Sequence, residues 1–596
     1  MFLLILLSPL IHAQNKSGNR LTLARVEVSG GGKINPEKLM PLFSLSVPYD
    51  SVSFSQSLER MRGIYQNFGF YDFRIDSLRQ EIDAASNRLK ITLYVTEGEV
   101  STVSEITITG NRMIPASELL DLMNTRKDDV LDTEVLEKDF GEILKKYEQI
   151  GRPFAKISLE KIERLSADTL QEHPPSLRIA LEIAEGPFVR IAGYKISGNK
   201  ATEPEVITRE LDFYPGEAFN GQKFDQTKQR IEKLGYFEKV NEPGLSAIMA
   251  TSKTDTLDGI IEFSVVESNQ NTFDGIVGYQ PARTASERGF FTGYVNISLR
   301  NMFGTGRELG VLWNKPDKLS QDIKLRYLEP WLFGIPLNAA FSFRQLKQDT
   351  TFSQIDLALN MTYRVSGDFY IMATVAHEAI NPIFERENQA QSVLKSRKIV
   401  TGLGFIYDSR DYPRNPRSGL LFRNEYLLGN KVISSPDSVL ELYGIKKKMT
   451  QQRILLDLEF YKQLFHRQVI AVELHGMALI ASQIEISDLF RFGGSHDLRG
   501  YREQQFMASQ LIYSNIEYRF LLSRDTFAFL FCDLAYFYKP PNPLNSLDGS
   551  FNAYKTGYGF GVRLETPLGI LGVSYALGEK TSFLDGLVHF GIINEF

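Results

Sequence analysis

Residues 354–364 read QIDLALNMTYR, and every second position is apolar: Ile355, Leu357, Leu359, Met361 and Tyr363 stand against Gln354, Asp356, Asn360, Thr362 and Arg364. Successive side chains of a strand point to opposite faces, so this stretch is a strand with one greasy side and one polar side. The pattern extends in both directions. Upstream, FFTGYVNISLR sets Phe291, Val295, Ile297 and Leu299 against Thr292, Asn296, Ser298 and Arg300. Downstream, RILLDLEFYK, QVIAVELHGMALI and YSNIEYRFLL alternate in the same way. From near Thr272 to the end of the sequence about sixteen such segments follow one another, separated by turn residues.

A soluble sandwich also alternates. Three features favour a membrane barrel: the number of strands, an apolar N-terminal stretch, and the ending VHFGIINEF, which places an aromatic at the last residue. Spanning strands need about 9 to 11 residues each, and sixteen fit comfortably into roughly 325 residues. Lipid offers no partners for backbone amides, so a sheet that spans it has to close on itself. The expected fold of residues 270–596 is an all-β transmembrane barrel of about sixteen antiparallel strands.

The rest of the composition agrees. A chain of 596 residues with 12% aromatic and 23% charged residues matches neither a disordered polymer nor a helical membrane protein. A net charge of -5 without a dense Lys/Arg stripe excludes nucleic acid as a partner. The single cysteine, Cys532, rules out an internal disulfide framework and a multi-cysteine zinc site, and no metal site is expected. The opening MFLLILLSPLIHAQ has an apolar core of about ten residues and a small-residue exit at Ala13, the outline of a secretory signal over residues 1–13, though without a basic leading segment.

The first half contains a repeat. ARVEVSGGGKI, SEITITGNRMI and AGYKISGNKAT each end a short strand on glycine, at Gly30, Gly110 and Gly198. Each is followed by two helix-like regions, the second closing at Gly69, Gly151 or Gly235, then by two strands, the last being LKITLYVTEGE, LRIALEIAEGP or GIIEFSVVES. One helix-capping glycine is weak information, but three copies in one order define a βααββ module. Two helices covering one face of a small sheet make a self-sufficient layered domain. The expected boundaries are residues 20–100, 101–190 and 191–269. The glycines at Gly30 to Gly32 before Lys33 do not form a phosphate loop, because Ile34 stands where Ser or Thr is required.

One segment resists the barrel pattern: Arg491–Phe506, RFGGSHDLRGYREQQF. Ser495, His496 and Asp497 supply the residue types of a hydrolytic triad, yet three consecutive side chains splay apart and cannot form the hydrogen-bonded chain that a triad needs. The seven histidines are scattered, and neither HExxH nor GxSxG occurs. An enzyme is not expected.

Three βααββ modules before a barrel resemble the BamA/TamA family of outer-membrane assembly proteins, whose modules are called POTRA domains. The resemblance covers essentially the whole chain after the signal. Leu498-Arg499-Gly500-Tyr501 is similar to the (V/I/L)RG(F/Y) motif at the tip of the family's extracellular loop. EPWLFG at Glu329–Gly334, DSRDYPRNPRSG at Asp408–Gly419 and GYGFGVRLETPLG at Gly557–Gly569 are further marks of the resemblance. It implies that the loop folds back into the barrel lumen and that Arg499 meets acidic residues of the inner wall. Two candidates face inward by alternation: Glu517 in SNIEYRF, and Asp533 in FLFCDLAY, where Ala535 replaces the glycine of the family's F-x-D-x-G.

The resemblance further implies a protein of the cell outer membrane, with its POTRA domains in the periplasm, that inserts other proteins into that membrane or passes them across it without cofactor or nucleotide. An incoming strand has unpaired amides that lipid cannot satisfy, and a barrel seam that opens sideways offers them partners. The expected seam lies between the first strand, with Gly275 and Gly278, and the last, near Gly586 to Phe596, where Gly591 either breaks the ladder or packs closely. Implied partners are unfolded outer-membrane clients, which POTRA edge strands would receive by backbone pairing, outer-membrane lipids, and accessory lipoproteins or an inner-membrane partner. Three modules fit TamA better than BamA, which typically has five, or two-partner secretion exporters, which typically have two. Two alternatives remain open: an exporter of one dedicated substrate, and a passive pore or receptor.

Overall fold

The computed structural model of the protein describes residues 21–593, apart from 166–174, 250–254, 269–270, 282–288, 350, 384–392, 546 and 567–568. The expected signal and Phe596 lie outside the described residues. The chain divides into two compact units. One holds residues up to Gly193 together with Phe213–Asp225 and Leu245–Ile261, and the other holds Tyr194–Asp212, Gln226–Gly244 and Glu262–Phe596.

In the first module the central strand Arg88–Thr96 pairs in parallel with Thr22–Ser29 and antiparallel with Arg74–Asp83. Helix Ser51–Asn67 starts on Asp50, whose carboxylate accepts from the amide of Ser53 at 2.9 Å, an N-cap that satisfies one of the free donors of the first turn. Its Phe54, Leu58, Met61 and Tyr65 face Leu89, Ile91 and Leu93 of the sheet. This is the i, i+4, i+7 stripe of an amphipathic helix laid on alternate residues of a strand. The second module repeats the plan with Thr102–Thr109, Lys156–Leu165 and Ser176–Ala184, over which helix Thr133–Gln149 packs Leu136, Ile143 and Tyr147.

A glutamate ending the last strand of each module explains the recurrent glycine turn. Glu97 accepts from the amides of Gly32 and Lys33, Glu185 from those of Arg112 and Met113, and Glu267 from those of Lys200, Ala201 and Thr202, at 2.7 to 3.2 Å. The turn glycines have φ of 80° to 89°, and a Cβ at Gly30, Gly110 or Gly198 would fall within 2.4 Å of a carbonyl oxygen of the neighbouring strand. Only glycine lets the turn close onto its carboxylate.

The third module departs from the expected order by one strand. Phe237–Val240 and Gly244–Met249 both pair with Thr256–Glu267, making a four-stranded sheet. Pro243 stands between the two pieces and has no amide to give to a ladder, so the edge strand is interrupted there.

Sixteen strands form the barrel wall, each pairing antiparallel with its neighbour from Thr272–Gln280 to Leu587–Ile593. The short hairpin of Phe490–Phe492 with Phe506–Ala508 is left out of the wall, so Gln468–Ala481 pairs directly with Gln510–Leu521. Alternation sorts the faces. On Gln510–Leu521, Tyr513, Asn515, Glu517 and Arg519 are buried inward while Ile512, Tyr518 and Phe520 lie on the exposed outer face. One rim has short turns and the other long connections. At the long rim, Leu394, Ile433, Leu440, Ile445 and Leu544 from three connections share a small core, and Lys431, 1% exposed, bonds Glu485 at 2.8 Å and Asp488 at 2.7 Å. These connections therefore pack against one another at that rim. No helix among the described residues is long and apolar enough to cross a membrane.

Candidate functional site

The segment 482–509 leaves the wall at the long rim and turns into the lumen on the hairpin stem Phe490–Phe492/Phe506–Ala508. Leu498 anchors it: fully buried, it shares a cluster with Phe492, Ala508, Leu511, Tyr513 and Phe537. That anchor delivers the next residue to the wall. Arg499 donates from Nε and Nη2 to the two oxygens of Asp533, at 2.8 and 2.6 Å, and from Nη1 to Glu517 at 2.6 Å. Its backbone amide adds a third bond to Asp533 at 3.0 Å. The guanidinium plane also lies 3.7 Å from the ring centre of Phe531. A planar fork of donors is used here in full, and lysine has no equivalent.

Gly500 has φ of 89° and runs so close to Leu577 and Gly578 that a Cβ would meet their backbone at 2.7 Å. Gly557 on the facing strand Phe551–Thr566 leaves room for the carbonyl of Arg499, which a Cβ would approach to 1.9 Å. These are the steric reasons for glycine in RGY and in GYGFG. Tyr501 then ties the loop to two more strand ends, its hydroxyl donating to Thr556 O at 3.1 Å and accepting from Glu579 N at 3.0 Å.

Residues not singled out in the sequence complete the site. Arg519, two residues from Glu517 and on the same face, donates to Glu517 at 2.7 Å and to Glu473 at 3.2 Å. Tyr461 bridges Glu473 and Glu459, and Glu459 accepts from Arg410 at 2.8 Å, which in turn forks onto Asp408. A continuous hydrogen-bonded chain of arginines and carboxylates, with the Tyr461 hydroxyl joining two glutamates, therefore runs from the Asp408–Gly419 segment to the loop arginine. Arg519 was legible as the i+2 neighbour of an inward acid. Arg410, Glu459 and Glu473 were not, because their convergence depends on which strands face one another across the lumen.

Ser495, His496 and Asp497 take separate roles. The amide of Ser495 donates to Glu503 at 2.7 Å, the Asp497 carboxylate lies 3.5 Å from the hydroxyl of Tyr513, and His496, with Ser495, lines a cavity of about 270 Å³ shared with Arg410, Glu473 and Arg563. Among the described residues no cluster of three or more metal-ligating side chains occurs.

At the ends of the sheet, Gly275 stands opposite Val295, Gly278 opposite Thr292, and Gly591 opposite Gly572. The last ladder continues through Gly591 without a register shift, so no break occurs there. Among the described residues no ladder joins Thr272–Gln280 to Leu587–Ile593. The lumen loop touches the last strand directly: the amide of Gly500 donates to Nε2 of His589 at 3.2 Å.

Comparison with known proteins agrees with this architecture. The family described as Omp85 superfamily domain matches residues 301–596. The family of surface antigen variable number repeats, or POTRA, matches residues 21–98, 101–186 and 189–268. The outer membrane protein assembly factor BamA of Neisseria meningitidis serogroup B is 23% identical over 469 residues, covering 73% of this chain and 56% of the relative. BamA of Nitratidesulfovibrio vulgaris is 20% identical over 605 residues, covering 94% and 71%. The chain thus spans little more than half the length of the Neisseria relative. A solved structure of CdiB from Escherichia coli superposes with a TM-score of 0.47 at 11% identity, over 94% of this chain and 98% of that one.

Proposed function

Because this chain belongs to the Omp85 superfamily and carries three POTRA repeats, we propose that it is an outer-membrane assembly factor, seated in the cell outer membrane with its POTRA domains in the periplasm, that inserts β-barrel or autotransporter-type clients. The observation that carries this reading is the pair of end strands, Thr272–Gln280 and Leu587–Ile593, which no ladder joins among the described residues. An edge strand with free backbone groups is a template for another strand, and inside lipid that template is the one favourable destination for a client's amides. The client would pair with an end strand and leave laterally as it closes on itself. Backbone pairing supplies the driving energy, so this mechanism needs no catalytic residue, cofactor or nucleotide. Accessory lipoproteins or an inner-membrane partner would deliver clients to the POTRA modules.

Depleting the protein and measuring the outer-membrane proteome tests this reading. Loss of many barrel proteins indicates a general factor, and loss of a few a specialised one. Loss of a single exported substrate indicates a dedicated exporter, and retention of every barrel protein refutes assembly altogether. The seam has its own test: paired cysteines bridging Thr272–Gln280 to Leu587–Ile593 abolish client assembly when oxidised and permit it when reduced. Assembly at an unchanged rate in the oxidised form rules out lateral opening.

A further inference from the structure

The turn at Trp331–Gly334, on the short-turn rim, is built against backbone preference. Trp331 (φ 51°, ψ 46°) and Phe333 (φ 59°, ψ 20°) both occupy the left-handed region, which bulky side chains avoid. Phe333 is 87% exposed, so its own burial does not offset the cost. What the unusual backbone achieves is the placement of Trp331. Its amide donates to Oδ1 of Asn338 at 3.1 Å, fixing the turn, and its indole Nε1 donates to Oε1 of Glu210 at 2.8 Å. The other oxygen of Glu210 accepts from Nη1 of Arg364 at 2.7 Å. The indole ring lies 5.4 Å from the guanidinium of Arg364 and 6.0 Å from that of Arg209, within range of a cation–π contact.

Glu210 belongs to the third module, just beyond its short helix Pro204–Thr208. Its side chain and that of Arg364 are each only 15% exposed, so their attraction is weakly screened by water. The preceding turn of the barrel grips the same part of the module: Asn301 Nδ2 donates to Thr202 Oγ1 at 2.8 Å, and the amide of Glu203 donates to the carbonyl of Gly304 at 2.9 Å.

We propose that the Trp331 turn is a docking latch, with the Glu210 carboxylate as its centre, that holds the 203–211 segment of the third module fixed on the rim of the barrel. One carboxylate fills its two oxygens with donors from two different barrel elements, the 331–334 turn and the strand Phe352–Ser366. Losing either donor therefore loosens the 203–211 segment, leaving the contacts of Asn301 and Gly304 to hold its leading end. Trp331 is a positioning residue that acts through Glu210. The latch stands independently of what the barrel inserts or exports.

Hydrogen–deuterium exchange on the full chain in lipid nanodiscs tests it, with heat-modifiable gel migration confirming a folded barrel. Glu210→Ala and Arg364→Ala should each speed exchange of the 203–211 amides about tenfold or more, and Trp331→Phe, which deletes the N–H and keeps a ring, about two- to fivefold, while barrel-strand amides keep their wild-type rates. The Glu210→Ala/Arg364→Ala double variant should exchange little faster than either single one, since partners in one contact are not additive. Should an alanine variant fail to fold, Glu210→Gln and Trp331→Phe decide the matter. Wild-type exchange at 203–211 in folded Glu210→Gln and Trp331→Phe proteins overturns the latch, as do fully additive effects in the double variant.

Discussion

Arg499 is held by four hydrogen bonds to two buried carboxylates and by the face of Phe531. Breaking such an arrangement from the arginine side leaves Asp533 and Glu517 buried with less compensation, at a cost of about 3 to 5 kcal/mol. Arg499→Ala should therefore release the loop, visible as proteolysis within 493–505 and a lowered temperature of barrel unfolding on heat-modifiable gels. Arg499→Lys should fall between alanine and wild type, because one ammonium nitrogen cannot reproduce the bidentate fork onto Asp533 together with the bond to Glu517. Ser495→Ala should leave both measurements unchanged, since only the backbone amide of Ser495 is engaged with Glu503. At this scale the sequence was informative for the triplet Arg499, Glu517 and Asp533: an arginine in a glycine-flanked loop and two acids on the polar face of alternating strands. The continuation through Arg519, Glu473, Tyr461 and Arg410 depends on distances across the lumen, which alternation alone does not specify.

Elements carry their own latches. Asp139, fully buried on helix Thr133–Gln149, accepts from the amides of Asn124 and Thr125 at 2.7 and 2.9 Å and from the Thr125 hydroxyl at 2.6 Å. Burial pushes its carboxyl up, but these donors outweigh burial and hold it below the ordinary carboxylate range. A carboxyl depressed in the folded state stabilises the module above its unfolded pKa of about 3.9, and that contribution fades as pH falls through the lower folded value. Asp139→Asn should accordingly cost about 1 to 3 kcal/mol at neutral pH. Urea-dependent proteolysis of the second module should show the difference from wild type shrinking as pH drops below about 4, the region of the unfolded pKa. The three repeated modules were legible from repeated glycines, whereas the glutamate that closes each turn was present in every quoted strand end and is recognisable only when the turn amides are seen to point at it. The interrupted edge of the third module turned on Pro243, a residue whose missing amide matters only once its neighbours pair.

At the scale of the whole molecule, the barrel is bounded by two different rims. The packing of the long connections is tied to Lys431, which is almost completely buried between Glu485 and Asp488. Lys431→Ala leaves two carboxylates facing one another without a cation, and should cost about 3 to 5 kcal/mol of local stability. The expected outcome is faster protease cleavage within 434–447, with the wall itself still folded. What the sequence by itself determined was the wall and the modules: period-two alternation assigns each strand an inside and an outside, the repeat assigns the layered domains, and both are local rules of backbone geometry. Tertiary structure alone decided which charges meet in the lumen, how the long connections pack against one another, and that the EPWLFG turn bends left-handed to reach Glu210. The Arg499–Asp533, Trp331–Glu210 and Arg364–Glu210 contacts join residues 34, 121 and 154 positions apart. No local pattern encodes such a meeting, because it follows from barrel closure and from where the loops and the third module are then obliged to pack.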